Sequence, residues 1–315
     1  MGQSARIVLA TLSHTNQPSN RKMGKIINID FYRVSVLDDQ ALRFNDLIEN
    51  VSALPNNDQR NLFIKDIPVR LQICDQRPAG ITADMVRIRM NALPAKASLG
   101  GVIAPFDLDD DEGIGEETAF YYNIPKRIAV VQRNKFGVSV PLIAHYFTVK
   151  TGMGTLVFDP IFETETMVKY ASMQNVRKFE VAIAGKQNPQ IFNGLGAGLS
   201  STVDMIQALQ APCVDITISM GYERGSLVTQ SVKAVADALL AIANNSPDQV
   251  KKIKITGSSN DEEQAALLNL LEDRMVETID VPEDANRRLS YQSRISAVMQ
   301  AWQRRSAELS NMFPN

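Results

Sequence analysis

Histidine and cysteine are scarce in this 315-residue sequence, which contains two of each. His14 lies in a polar N-terminal segment, and His145 lies in an apolar helical pattern, where a core histidine is the favoured interpretation. Cys74 and Cys213 stand far apart in strand-like runs, without the paired spacing of a zinc site. These absences argue against an enzyme built on a histidine or cysteine nucleophile system, and against a structural zinc ion.

Long apolar runs are also absent, since no stretch approaches the ~18 consecutive apolar residues that a membrane helix needs. The formal net charge of −2 predicts no general attraction to nucleic acid or to membranes. A dinucleotide-binding fingerprint is incomplete, because Leu199 stands where that pattern requires a glycine after Gly194 and Gly196. We therefore predict a cytoplasmic protein with no cofactor and no transmembrane segment of its own.

What the sequence does contain is a series of strand and helix patterns that predicts an α+β fold. Strict alternation in the runs VRLQIC and MVRIRM is typical of half-buried strands in a mostly antiparallel sheet. Residues 214–281 read as strand, helix, strand, helix, strand, which is typical of a layered α/β unit. The expected organisation is a flexible tail at 1–24, a sheet domain at 25–185, and an α/β domain at 186–315 that ends in a basic helix.

Several helices have recognisable boundaries in the sequence. Ser139 suits the N-cap of one helix, Pro141 suits its first turn, and Gly152 suits its C-terminal end. A second helix is predicted from about Ser201. A third is predicted after the strand that ends near residue 256, and it is expected to end near Met275. The last helix is expected from about 286 to 310.

An acidic run between two predicted strands has the most unusual composition in the chain. It contains Asp107, Asp109, Asp110, Asp111, Glu112, Glu116 and Glu117. Carboxylates of this kind bind Ca²⁺ or Mg²⁺, and Asp107, Asp109 and Asp111 are the alternative metal ligands, but the run lacks the EF-hand register. The favoured interpretation is that the run is a solvated loop. Besides metal binding, a further alternative is that the run forms a surface that attracts a basic partner.

Basic side chains form three groups that are candidates for contact with nucleic acid or with a partner protein. These are Arg70, Arg87 and Arg89 on the outward side of two strands, Lys126, Arg127, Arg133 and Lys135 on a hairpin, and Arg287, Arg294 and Arg305 along one line of the last helix. No aromatic residues are interleaved with them, so a base-stacking platform is not predicted. The competing interpretation is that the strand residues are solvated and that the helix arginines pair with acids of their own domain.

The segments LPAKASLGG, DDDEGIGEETAFYYN, IAVVQRNKFGVSV and KFEVAIAG together resemble an uncharacterised bacterial family whose members occur near phage-defence genes. The resemblance extends over about residues 26–300 and is carried by segments of structural type. It implies a defence or mobile-element context and supplies no catalytic residue.

The resulting expectation is a non-catalytic component of a bacterial antiviral defence system that binds nucleic acid or a partner protein and forms a homo-oligomer. One alternative is a metal-dependent nuclease or phosphohydrolase that uses the acidic run. Another is a structural, self-associating protein.

Overall fold

The computed structural model describes residues 24–37, 39, 41–184, 209, 211, 213–245, 249–260 and 262–314. The first half of the chain forms β1 (Gly24–Val36), α1 (Phe44–Ser52), α2 (Asn57–Arg60), β2 (Leu62–Ile64), β3 (Ile67–Arg77), β4 (Gly80–Arg89), β5 (Ile114–Asn123), β6 (Ile128–Arg133) and α3 (Val140–Thr151). The second half forms β7 (Leu156–Pro160), α4 (Thr164–Ser172), β8 (Asn175–Ala184), β9 (Cys213–Ser219), α5 (Thr229–Asn245), β10 (Val250–Ser258), β11 (Ala266–Asn269), β12 (Val276–Pro282) and α6 (Tyr291–Met312).

Most of the strands belong to one large antiparallel sheet in the order β12-β1-β6-β5-β4-β3-β2. Strand β1 is long enough to pair with two partners along the same edge. Its first half pairs with β12, from Gly24 opposite Pro282, and its second half pairs with β7, as far as Val36 opposite Leu156. The α+β class and the antiparallel pairing predicted from sequence are therefore confirmed.

Side chains alternate between two cores along β1, because successive residues of a strand point to opposite faces. Ile29 and Phe31 pack in the core beneath α6, whereas Tyr32 and Val34 pack in the core that contains α1 and α3. Helices thus cover both faces of the large sheet. Residues 80–86 of β4 are all buried, whereas residues 69–72 of β3 show the predicted alternation, with Val69 and Leu71 buried and Arg70 and Gln72 half-buried.

Helix α3 begins and ends as the sequence predicts. Ser139 occupies the N-cap with an extended backbone, Pro141 lies in the first turn, and Gly152 ends the helix at a φ of 62°. That left-handed conformation favours glycine, because a Cβ atom would be strained there. None of the helices in the described ranges is both long and apolar enough to cross a membrane.

A smaller antiparallel sheet has the order β11-β10-β8-β9 and carries α5 on one face. The helix expected before Met275 is wrong in the part that the structure describes, because residues 266–269 form β11 and pair with β10. Leu268 and Leu270 are buried in the core of the small sheet. Pairing and burial have overridden a pattern that taken alone resembled a helix.

The predicted domain boundary at residue 185 can be compared with the two sheets, because two parts of the chain pair across it. β8 precedes it and pairs with β9 and β10 of the small sheet. β12 and α6 follow it, and they belong to the large sheet and to the core on that sheet. The glycine-rich run at 194–198, the helix expected from about 201 and the tail at 1–23 lie outside the described residues.

A buried ion cluster attaches α6 to the large sheet in addition to apolar packing. Arg294 of α6 is 2% exposed and contacts Asp84 on β4 and Glu117 on β5. Arg288 contacts the same Glu117 carboxylate from the solvent side. Asp84 is fully buried, and burial raises its pKa to about 7 against the opposing effect of the Arg294 charge.

Replacement of Arg294 by methionine leaves two carboxylates in the sheet without their buried partner. We expect the free energy of unfolding to fall by about 3–5 kcal/mol, which is typical when one member of a buried ion pair is removed. Arg304→Met is the matched control, because Arg304 forms a solvent-exposed pair with Glu277 and its loss should cost less than ~1 kcal/mol. Urea denaturation of both variants measures the difference, and equal losses would contradict a structural role for the cluster.

The raised pKa of Asp84 predicts a pH-dependent contribution to stability. Folded Asp84 binds its proton more tightly than the unfolded side chain, so this contribution is complete below about pH 4 and is lost as the pH rises towards about 7. Relative to Asp84→Asn, the free energy of unfolding should decline by at most ~1.4 kcal/mol per pH unit in that window. Denaturant titrations across the window measure the decline, and a constant difference would argue against the raised pKa.

Candidate functional site

A cleft of about 740 Å³ lies where the large sheet meets the small-sheet core. Strands β1 and β6, the turn after β6 and the start of α3 form one side of it. The other side comes from α5, β10 and the turn before β12, and contains Arg274. A volume of this size is in the range of small-molecule sites, about 300–1,000 Å³.

An ion pair between neighbouring strands occupies one side of the cleft. Asp30 on β1 is 7% exposed, and both of its oxygens accept hydrogen bonds from Arg133 on β6. The Nε–Oδ2 distance is 2.9 Å, and the second bond joins Nη2 to Oδ1. The hydrogen bond that Arg133 donates to the Asp30 carboxylate raises the pKa of Arg133. The two charges therefore neutralise each other within the cleft wall.

Arg274 is a second cation in the cleft and, unlike Arg133, lies in a turn between the two sheets. It follows the turn after β11, and its backbone forms an isolated bridge with Phe162. Its Nε atom is buried without a hydrogen-bond partner, and within the described ranges no carboxylate forms a salt bridge with the guanidinium. Burial lowers its pKa. A cation in such surroundings is costly unless a partner compensates the lost hydration.

Tyr32 contributes an unpaired hydroxyl to the same space. The side chain is 8% exposed, and its ring packs edge-on against Phe158 at a centroid distance of 6.0 Å. The hydroxyl forms no hydrogen bond to any residue that the structure describes, although it is close enough to Asp30, Arg133 and Arg274 for their charges to act on it. Burial, and then the Asp30 charge, raises the pKa of Tyr32. The phenol is therefore neutral near pH 7 and can donate a hydrogen bond.

The N-terminus of α3 also borders the cleft. Ser139, Val140 and Pro141 line it, and the Ser139 side chain makes no capping hydrogen bond. The first turn of a helix carries about half a positive charge and backbone N–H groups without intrahelical partners, which here belong to Val140 and Leu142 because Pro141 has no N–H. Together with the Arg274 guanidinium and the Tyr32 hydroxyl, this end of α3 forms a donor-rich environment that is chemically suited to an anion.

Two of the ten predicted binding residues, Arg133 and Lys135, line this cleft. The others are distributed elsewhere on the molecule. Arg70 bonds to Gln72, and Arg89 pairs with Glu116. Arg87 lies opposite Glu116 in the sheet, Lys126 donates to the carbonyl oxygen of Phe313, and Arg127 lies in the turn before β6 with a φ of 51°.

The arginine row expected on the last helix does not form as a free surface. Arg287 is exposed but precedes the helix, with a φ of 59°. Arg294 is buried in the ion cluster, and Arg305 contacts Glu163, Glu277 and Glu308. Pairing with acids of the same chain, which was the competing interpretation, therefore describes Arg294 and Arg305. Their charges are engaged and do not form a row facing solvent.

The acidic run is divided by the start of β5. Asp107, Asp109 and Asp111 lie in exposed loop and turn positions, whereas Glu116 and Glu117 lie on β5. Both strand residues pair with arginines. Within the described part of the chain, no group of three or more His, Cys, Asp or Glu side chains is arranged to hold a metal ion.

Sequence reasoning missed Asp30, Tyr32 and Arg274 as members of a site. A signal existed for Asp30, because a carboxylate interrupts the apolar run IINIDFYRV of a strand that is otherwise suited to burial. Arg274 gave no such signal. Its place beside the cleft follows from the turn between β11 and β12, which connects two different sheets.

Comparison with known proteins identifies the family of the chain but no characterised relative. The model of a family of unknown function (DUF6731) matches residues 28–308, so the chain belongs to that family. No curated protein matches the sequence. The expected membership of an uncharacterised family is confirmed, and the expected defence context stays a prediction.

The contribution of the Asp30–Arg133 pair to stability can be tested by substitution. Arg133→Met removes the partner of a buried carboxylate, and we expect a loss of about 1–3 kcal/mol in the free energy of unfolding. A second change, Asp30→Asn, should restore part of that loss because it removes the unpaired charge. Lys135→Met, at an exposed neighbour, is the control and should shift stability by less than ~0.5 kcal/mol. Denaturant unfolding of the three variants is the measurement, and a double variant no more stable than Arg133→Met would contradict this account.

Proposed function

We propose that this member of a family of unknown function is a non-catalytic binding protein whose cleft takes an anionic group. The observation that carries the proposal is the Arg274 guanidinium, which is partly buried, has a buried Nε without a partner, and faces a cleft. Arg294 and Arg305 have carboxylate partners, whereas the half-buried Arg87 also has a buried Nε without a partner but does not line the cleft. An anion from outside the chain would supply the missing partner.

The remaining groups of the cleft support this assignment. The Tyr32 hydroxyl and the first turn of α3 are donors, and the Asp30 carboxylate, which would repel an anion, is neutralised by Arg133. Among the described residues that line the cleft, none is a histidine or a cysteine. Asp30 is the one carboxylate among them, and Arg133 binds both of its oxygens, so it is poorly placed to act as a general base.

Binding of nucleic acid or of a partner protein within a bacterial defence system remains the proposal for the wider role of the chain. An anion site is compatible with it, because phosphate groups and acidic side chains are both anions. The cleft narrows the proposal to one place on the molecule, which is the end of the large sheet where Arg133, Lys135 and α3 meet.

The test is the variant Arg274→Met. Without a ligand, this variant should be at least as stable as the unaltered protein, because it replaces an uncompensated cation with an apolar side chain of similar length. With inorganic phosphate at matched ionic strength, the unaltered protein should gain stability by mass action, about 2.7 kcal/mol at a hundred times the dissociation constant. The variant should gain none.

Thermal and urea unfolding with and without phosphate measure both quantities. Arg304→Met removes the same charge from an exposed position and serves as the control for general electrostatic effects. A variant Arg274→Met that is clearly destabilised, yet keeps its full response to phosphate, would show that Arg274 is a structural residue and would contradict the proposal.

A further inference from the structure

The number of buried charges in the cleft restricts the kind of anion that fits. Arg133 and Asp30 neutralise each other, and Lys135 is exposed at the edge. This leaves Arg274 as the cation of the cleft that is partly buried and has no ion-pair partner in the described ranges. The helix N-terminus adds about half a charge. The site therefore complements a single negative charge better than the several charges of a polyphosphate, which would need further buried cations.

The rest of the cleft wall is apolar and comes from both sides. Val138, Val140 and Pro141 line it around the start of α3, and Ala243, Val250 and Leu271 line it from the small-sheet core. A site with a few polar groups at one side and apolar side chains elsewhere orients a ligand that has a charged head and an apolar body. Inorganic phosphate would leave these six side chains without a contact.

We infer that the ligand of this cleft is an organic monoanion, a carboxylate with an apolar body, whose head meets Arg274 and Tyr32 and whose body lies between the start of α3 and the α5–β10 wall. This inference rests on the proposed function, because it assumes that the cleft takes an anion. The chemistry favours a carboxylate head, since a planar guanidinium binds a planar carboxylate through two parallel hydrogen bonds. The neutral Tyr32 phenol can donate a further bond to the same group.

The ligand would also connect the two sheets, because its apolar body would touch residues from both sides of the cleft. Ala243 on α5 and Val250 on β10 belong to the small-sheet core, whereas Val138 belongs to the core of the large sheet. A bound ligand should therefore slow hydrogen exchange in β10 as well as at the start of α3. Phosphate bound at the charged end alone should leave exchange in β10 unchanged.

The experiment compares four probes on the full chain by calorimetric titration. Octanoate has the head and the body, octanamide has the body without the charge, acetate has the head without the body, and inorganic phosphate is the polar dianion. At sub-micellar concentrations, octanoate should bind roughly tenfold or more tightly than each of the others, because a hydrogen bond to a charged group is worth about one power of ten or more. Arg274→Met should abolish the advantage of octanoate over octanamide.

The possible results distinguish the monoanion inference from the proposed function of anion binding. Binding of phosphate in preference to octanoate, with dependence on Arg274, would overturn the monoanion inference and leave anion binding intact. Equal binding of octanoate by the unaltered protein and by Arg274→Met would mark non-specific partitioning and would also overturn the inference. Failure of every anion to bind would overturn the proposed function itself.

A second variant addresses the apolar wall without touching the charged groups. Val140→Asp introduces a carboxylate at the first position of α3, where an acidic side chain favours the helix. It places a charge against the apolar body of the ligand, so octanoate binding should fall by roughly tenfold or more, and urea unfolding checks that the variant is folded, because Val140 also packs against the core of the large sheet. Val149→Asp, at an exposed position in the same helix, is the matched control and should leave binding unchanged. Loss of binding in both variants, or in neither, would contradict the placement of the ligand.

Discussion

The pairing of β1 with β12 is the constraint on which the rest of the structure depends. It joins residues 24–30 to residues 276–282 and so brings the start and the end of the described chain together in one sheet. Because β1 also pairs with β6 and β7, the strand has neighbours on both edges and a core on each face. The small sheet is enclosed in sequence between β7 and β12, and its position against the large sheet follows from these connections.

The arginines of this chain show how buried charge is distributed. Arg294 shares two carboxylates beneath α6, and Arg305 shares three at the surface of the same helix. Arg133 takes both oxygens of Asp30. Arg274 and the half-buried Arg87 each have a buried Nε without a partner, but of these two only Arg274 lines the cleft. A methionine at position 274 would fill similar space without the cost of desolvating a cation. This unpaired cation beside a cleft is the observation on which the proposed anion site rests.

Local patterns in the sequence predicted the parts of the fold that local chemistry determines. Phe44, Leu47, Ile48 and Val51 lie at helical spacing in the sequence, and they form the buried face of α1. Ser139, Pro141 and Gly152 predicted the ends of α3 because caps depend on neighbouring residues only. By contrast, β11 is a four-residue strand that exists through its pairing with β10, and no local pattern reveals such a partner.

The candidate site was harder to predict for the same reason. Arg133 and Lys135 were identified as basic residues of a hairpin, but a list of basic residues does not reveal which ones a fold will neutralise. Arg294 was predicted as part of a row of binding residues on the last helix, but it is buried against Asp84, 210 residues away in sequence. Arg274 was not predicted as a binding residue, and it lies in the cleft. Which cation remains free depends on long-range contacts, so the distinction between a structural and a binding arginine emerges only when the sheet order is known.

The position of Arg274 also explains why the cleft and its cation occur at this place in the fold. The chain leaves the small sheet after β11, turns through residues 270–275, and enters the large sheet as β12. A side chain in that turn necessarily lies near the junction of the two cores, where neither sheet fills the space completely. On the opposite wall, α3 begins beside the end of β6 and directs its first turn to the same junction. The cleft is thus a consequence of the topology: one connecting turn supplies the cation, one helix start supplies backbone donors, and the edges of the two cores supply the apolar wall.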